Sequence, residues 1–373
     1  MAEQAAQVKA AYIHVPFCAR LCPYCDFAVV TGREGETDRY FAALTTELER
    51  EEPWEPLGSV YVGGGTPSRV DPVRLGAVLD ALWQKHGSTA DPEVSIEANP
   101  EDWSPWRAEA LRAAGFNRVS FGAQSFDPAT LDRLGRRHSS SQIVAAVAAA
   151  RDAGFRSINL DLIYGTPGDG SWERTLHSAL DLEPDHLSCY ALTVEPGTEL
   201  FRQVAAGEPA PDPDTQADQW EMVAALAAEA GLVRYEVSNW ARPGHAVNYN
   251  LAVWAQAEYL SFGLGAHRFR NRGRSQNFRR LDSDLAAVET GHSARVAEEA
   301  VTGWGLEIER VFLGIRRTVG VVAGTAGEGL LASVEGSRLA EHGVIELVEG
   351  RLIVRKPLLT DAVLRALLDL PPP

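Results

Sequence analysis

Ala11-Tyr12-Ile13-His14-Val15-Pro16-Phe17-Cys18-Ala19-Arg20-Leu21-Cys22-Pro23-Tyr24-Cys25-Asp26-Phe27 is the stretch from which the rest of this chain can be read. Residues 11–16 are apolar or aromatic with one polar interruption, and they predict a short buried strand. The loop that follows carries three of the chain's four cysteines as C-x3-C-x2-C. Three thiolates this close can enclose one soft metal centre. A structural zinc site takes four ligands, usually in paired C-x2-C spacing, and no fourth ligand is evident. His14 is near in sequence, but strand alternation does not say which way it faces. Three cysteines on a four-iron cube leave one iron open to a ligand. Cluster, zinc and free thiols all stand as readings at this point. Cys189 falls inside a predicted strand and reads as a small buried apolar residue.

Outward from that loop, strands and amphipathic helices alternate. Strands are predicted at 59–64, 94–99, 118–124, 157–163 and 185–192, and helices at 38–52, 71–85, 105–114, 140–153 and 171–182. Alternation at this spacing means βαβ units and a parallel sheet. About six such units suit a full or partial barrel. Cys18 to Cys25, Gly63-Gly64-Gly65-Thr66-Pro67, Glu97-Ala98-Asn99, Gln124 and Asp161 all lie at or just beyond the C-terminal ends of predicted strands. In a βα barrel those ends share one face, and that face carries the chemistry. Each has a plain reading too: a tight turn for the glycines, a solvated rim for Glu97, a turn cap for Asp161.

A helix over 214–231 and a strand over 233–239 follow. Residues 268–275 read as a linker or surface loop, dividing a domain 1–270 from a domain 271–373. The second domain is predicted as helices at 280–289, 305–318 and 328–342 and a hairpin over 344–354, a winged-helix-like α+β pattern.

The chain has 373 residues, 45% of them hydrophobic, and 35 basic against 51 acidic residues give a net charge of −16. That balance repels a nucleic-acid backbone and an anionic membrane surface. No apolar run approaches the ~18 residues that a membrane span needs. Residues 1–10 lack the apolar segment of a secretion leader, so a cytoplasmic location is expected.

Taken together, Tyr12-x-His14-x-Pro16-Phe17-Cys18-x3-Cys22-Pro23-Tyr24-Cys25-Asp26-Phe27, the Gly63–Pro67 loop, Glu97-Ala98-Asn99-Pro100, Arg118-x-Ser120-x-Gly122-x-Gln124 and Asn159-x-Asp161 resemble the radical S-adenosylmethionine (SAM) superfamily. Within it the chain is similar to the branch of oxygen-independent coproporphyrinogen III oxidases and their haem-chaperone relatives, the HemW subgroup. The resemblance is dense over about residues 11–270. It implies an α/β fold, a partial (βα)6-type radical SAM barrel with a small C-terminal domain. It also implies a [4Fe-4S] cluster on Cys18, Cys22 and Cys25. SAM would chelate the open iron, and an electron from the cluster would cleave it to methionine and a 5′-deoxyadenosyl radical. By position the SAM-pocket candidates are Tyr12, Tyr24, Gly64, Gly65, Thr66, Glu97, Gln124, Arg136 and Asp161.

The implied partners are haem or a porphyrinogen, an electron donor such as a flavodoxin or ferredoxin, and haem-receiving respiratory proteins. Phe27 stands where the resembled oxidases carry a further cysteine, and only 17 residues precede Cys18. Both features favour the chaperone subgroup. That subgroup's haem-associated His-Asn-x-x-Tyr-Trp motif is here Tyr249-Asn250-Leu251-Ala252-Val253-Trp254. The haem-ligand candidates are therefore Tyr249, His245 and His267, the last read first as a structural histidine. A radical SAM enzyme acting on a porphyrinogen and a metal-stabilised binding module without turnover are the alternatives.

Overall fold

The computed structural model of the chain describes residues 8–373, and the expectation about a leader falls, for residues 1–7, outside them. Six strands pair in the order in which they occur: β1 (Ala10–Val15), β2 (Leu57–Gly64), β3 (Ser88–Ala98), β4 (Arg118–Gln124), β5 (Ser157–Tyr164) and β6 (His186–Ala191). Every neighbouring pair is parallel. Parallel neighbours need a crossover, and helices provide it: α1 (Thr37–Arg50), α2 (Pro72–His86), α3 (Pro105–Ala113), α4 (Ser140–Asp152) and α5 (Trp172–Leu180). After β6 and a short helix Glu199–Ala205 comes a longer one, α6 (Pro213–Glu229).

The sequence marks where these helices begin. Asp71, Ser104 and Asp212 each cap a helix through a side-chain oxygen, with proline in the next position; a side-chain acceptor followed by proline is a strong start signal. Ser139 and Gln142 form a reciprocal capping box at α4.

Beyond β6 the sheet ends in β8 (Asn239–Ala241), antiparallel to β6, and β7 (Val233–Arg234). The strand expected over 233–239 is thus two short strands. Between them Glu236 accepts hydrogen bonds from Ser238 N and Asn239 Nδ2, which fold the chain into a turn. On the other side, β1 pairs in parallel with β9 (Tyr259–Phe262), followed by antiparallel β10 (His267–Arg270), β11 (Gly273–Asn277) and β12 (Arg295–Ala300). The edges β12 and β7 do not pair with each other, so the sheet is a partial barrel.

The stretch 268–275 is therefore not a linker. It is a hairpin turning at Asn271 and Arg272, both with positive φ. Arg268 and Arg270 both bind the buried carboxylate of Glu51, as does Arg295, which explains a basic run inside an acidic chain. The main sheet consequently continues past residue 270.

The first hydrophobic core runs from Ala11 to Ala294, and a second one from Val311 to Leu367. The second sits among helices Gly303–Gly314, Gly324–Ala332, Val334–Glu341 and Thr360–Leu368 and a three-stranded sheet of Val321–Val322, Ile345–Val348 and Arg351–Val354. The helix expected over 328–342 is broken at Ser333, whose extended backbone ends one helix while its Oγ caps the next. Among the described residues no helix is long and apolar enough to cross a membrane.

Candidate functional site

Each parallel strand carries a less buried residue within or just beyond its buried run. These are Tyr12 in β1, Tyr61 in β2, Glu97 in β3, Gly122 in β4, Asp161 in β5 and Tyr190 in β6. Gln124 closes β4 and is also partly exposed. Tyr12 and Tyr61 are register partners. A ring of accessible residues around otherwise buried strands is the lining of a mouth, at the face where a βα barrel keeps its chemistry.

Tyr249, on helix α7 (Asn248–Trp254), lies over this mouth, its ring stacked 5.9 Å from that of Tyr12 and 5.5 Å from that of Tyr61. Tyr61 and Tyr190 were not anticipated. The available signal was that Tyr61 is the one residue with a polar tip in the run Val60-Tyr61-Val62.

The two carboxyl groups of the ring are held differently. Glu97 accepts from Tyr61 OH at 3.0 Å and from the Gly64 amide at 2.9 Å. Burial, together with the charge of Asp161, pushes its pKa up to about 7 despite those two hydrogen bonds. Asp161 accepts from Ser120 Oγ and Asn159 Nδ2, both at 2.8 Å, and burial raises its pKa as well. Asn159 is itself fixed by His186, whose Nδ1 lies 2.6 Å from its Oδ1. A cavity of about 20 Å3 below Tyr61, Asp161 and Tyr190 is floored by these polar groups and has room for about one water.

The cysteine loop sits beside the mouth. Phe17–Cys18 pairs with Val30–Thr31 and pins the two ends of the loop. The amides of Gly65 and Thr66 donate to the carbonyls of Val15 and Phe17, joining the loop after β2 to the end of β1. Thr66 Oγ1 donates to Cys18 Sγ at 3.5 Å, and Arg136 Nη1 to Cys22 Sγ at 3.6 Å. Arg136 also donates to Asn99 Oδ1 (2.5 Å) and the Gly122 carbonyl (2.8 Å), and its buried Nε has no partner. The same Asn99 donates to Thr66 Oγ1 at 3.2 Å. Cys18, Cys22, Thr66, Asn99, Gly122 and Arg136 thus form one connected set, and the candidate residues on three different loops meet here.

Burial raises the Cys18 pKa and pushes that of Cys25 up to about 11, so both are thiols unless a metal deprotonates them. Among the described residues no three His, Cys, Asp or Glu side chains stand close enough to hold a single ion. A four-iron cube spreads its ligands more widely than a lone zinc does. Three thiols, donors to two of the sulfurs and an orphaned guanidinium Nε fit such a cluster with an anionic group beside it. His14 is not a fourth ligand, because Tyr12 OH lies 3.0 Å from its Nδ1 and the Ala28 carbonyl 2.8 Å from its Nε2. Burial lowers its pKa to about 4, so the ring is neutral. Cys189 is fully buried, as expected. Tyr24 packs on Leu134, Ile163 and Leu192.

The glycines after β2 are closely packed on the side where a side chain would stand. A Cβ on Gly63 would meet the Glu97 carboxyl at 2.8 Å, on Gly64 the His14 ring at 2.5 Å, and on Gly65 the Pro16 backbone at 2.7 Å. Gln124 has φ of 63°, rare for a side-chain-bearing residue. A register shift between Phe121 and Gln124 puts it at the strand end, where a Cβ on Gly122 would lie 2.9 Å from its Nε2.

The three histidine or tyrosine candidates for haem fall in different places. Tyr249 faces into the mouth, and burial with Tyr259, Tyr12 and Glu97 nearby pushes its pKa well above the ordinary phenol range. His245 is half-buried in the turn beside Glu93. His267 is exposed at the start of β10, with no hydrogen bond to its ring among the described residues, so it is not the satisfied structural histidine expected.

Residues 12–179 match the radical SAM superfamily. The chain is 39% identical over 369 residues to the heme chaperone HemW of Mycobacterium tuberculosis, covering 96% of this chain and 94% of the relative. It is 34% identical to HemW of Bacillus subtilis, covering 91% and 93%. Its fold is similar to that of coproporphyrinogen III oxidase (HemN) from Escherichia coli, with a TM-score of 0.81 at 25% identity over 98% of this chain and 92% of the oxidase.

Proposed function

We propose that this chain, which belongs to the radical SAM superfamily and to its HemW branch, binds a [4Fe-4S] cluster and SAM at the barrel mouth and handles haem as a chaperone. The observation that carries the reading is the ring of accessible residues beside Cys18, Cys22 and Cys25. When bound, the cluster supplies the electron for reductive cleavage of SAM.

The chain's own residues bind and orient. Thr66 and Arg136 donate to the Cys18 and Cys22 sulfurs, which would tune their basicity as cluster ligands. Glu97 and Asp161 are acceptors for hydroxyl or amino groups of a ligand, and Tyr12, Tyr61 and Tyr249 form an aromatic wall. Tyr24, Gly64, Gly65 and Gln124 complete the proposed pocket by position. A one-electron carrier of the flavodoxin or ferredoxin kind is the expected reductant.

Phe27 favours the chaperone over the oxidase. It is 62% exposed where the resembled oxidases have a cysteine, so the loop lacks the fourth thiol. The test is anaerobic reconstitution with iron and sulfide, followed by assays for 5′-deoxyadenosine and for turnover of coproporphyrinogen III. Deoxyadenosine without consumption of coproporphyrinogen is the expected result. Stoichiometric decarboxylation of the porphyrinogen would make the protein an oxidase.

A further inference from the structure

We propose that His267 is the axial ligand of a haem that lies on the rim of the barrel, between the cluster loop and the β10–β11 hairpin. This rests on the haem-handling reading above and names the residue that would carry it.

Sheet register puts His267 on the side of the mouth. Tyr259 and Phe269 are register partners, so they share a face. The Tyr259 ring meets that of Tyr249 edge-on at 5.8 Å, so this is the face that bears the tyrosines. His267, two residues before Phe269, points to that same face. It lies at the outer end of the tyrosine-bearing surface and is exposed.

Three features that the site leaves unexplained lie on neighbouring segments there. The first is the imidazole, the commonest haem ligand, with no partner among the described residues. The second is Phe27, a large exposed apolar side chain on the cluster loop. That loop runs beside His267: a Cβ on Gly265 would lie 2.7 Å from Ala28 Cβ and 3.7 Å from Arg279 Cγ. The third is Arg279, exposed, which donates to the Asp26 carbonyl at 2.7 Å and pairs with no carboxylate among the described residues. Its neighbour Arg274, by contrast, is already paired with Glu309 at 3.1 Å.

An iron porphyrin needs one axial donor, an apolar surface for its macrocycle and a cation for its propionates. His267, Phe27 and Arg279 offer one of each. Tyr249 and His245 do not, the first being stacked on Tyr12 and Tyr61 inside the mouth and the second being half-buried. A haem held on an open rim by one ligand also suits a protein that must release it.

The test is titration of haemin into the full-length protein, followed by the Soret band and by electron paramagnetic resonance. Wild type, His267→Ala, Arg279→Glu, Tyr249→Phe and His245→Ala are compared, with circular dichroism as the check on folding. An exposed, unpartnered histidine is replaceable without loss of fold. Saturable binding of one haemin per chain with an imidazole signature is expected in wild type. His267→Ala should lose that signature and bind at least about ten-fold more weakly. Arg279→Glu should weaken binding and keep the signature. Wild-type binding and spectrum in His267→Ala, or their loss in Tyr249→Phe or His245→Ala alone, would overturn the assignment while leaving the haem reading intact. No saturable binding in wild type would overturn both.

Discussion

Replacing Glu97 by Gln tests the electrostatics of the mouth. The carboxyl accepts from Tyr61 and Gly64, yet its pKa rises from the ordinary 4.5 to about 7. Below pH 4.5 it is protonated in the folded and unfolded chain alike and shifts nothing. Between 4.5 and 7 the unfolded chain gives up the proton first, so stability falls as pH rises through that window and stays lower above it. The rise of about 2.5 in pKa, at about 1.4 kcal/mol for each, costs about 3 kcal/mol at pH 8. Gln is isosteric with the protonated acid, so Glu97→Gln should be close to neutral near pH 4.5. At pH 8 it escapes the ionisation cost, in which the two hydrogen bonds to the carboxylate are already netted. The variant should therefore be more stable than wild type by about 3 kcal/mol at pH 8. Urea unfolding of both proteins at the two pH values measures this. The same change should weaken SAM binding at pH 8, because the ionised acceptor is gone. A stability difference of the same size and sign at both pH values would refute the electrostatic account.

Other changes probe the remaining parts of the site. Cys18→Ala, Cys22→Ala and Cys25→Ala should each abolish iron and sulfide uptake on reconstitution, whereas the buried Cys189→Ala should retain both and lose about 1 kcal/mol of stability. Gly64→Ala should be destabilised by about 3 kcal/mol or more, seen as a lowered melting temperature, since φ is +111° and the new methyl would meet the His14 ring. Thr66→Val removes a donor from Cys18 Sγ, so the cluster's midpoint potential in a redox titration should become more negative; an unchanged potential would remove that hydrogen bond from the account.

The sequence was most legible where chemistry and periodicity coincide. The C-x3-C-x2-C loop, the six alternating strand–helix units and the carboxylates at strand ends were readable because apolar strands and cap residues declare themselves locally. Residues that matter only through register were not. Tyr61 and Tyr190 join the mouth because of which partners their strands take, and that is a property of the sheet. The basic stretch 268–275 resembled a loop because the carboxylate that neutralises it, Glu51, is more than 200 positions away. The packing around the glycines after β2 was not legible either, since their neighbours His14, Pro16 and Glu97 come from other strands or loops. Likewise, nothing local to His267 says that it is exposed beside Phe27.

A cluster on Cys18, Cys22 and Cys25 would lie next to the SAM site. Electron paramagnetic resonance of the reduced, anaerobically reconstituted protein, recorded with and without SAM, measures that. About four irons per chain and a signal that shifts on adding SAM are predicted. Stoichiometric zinc without sulfide, or a cluster signal indifferent to SAM, would contradict it.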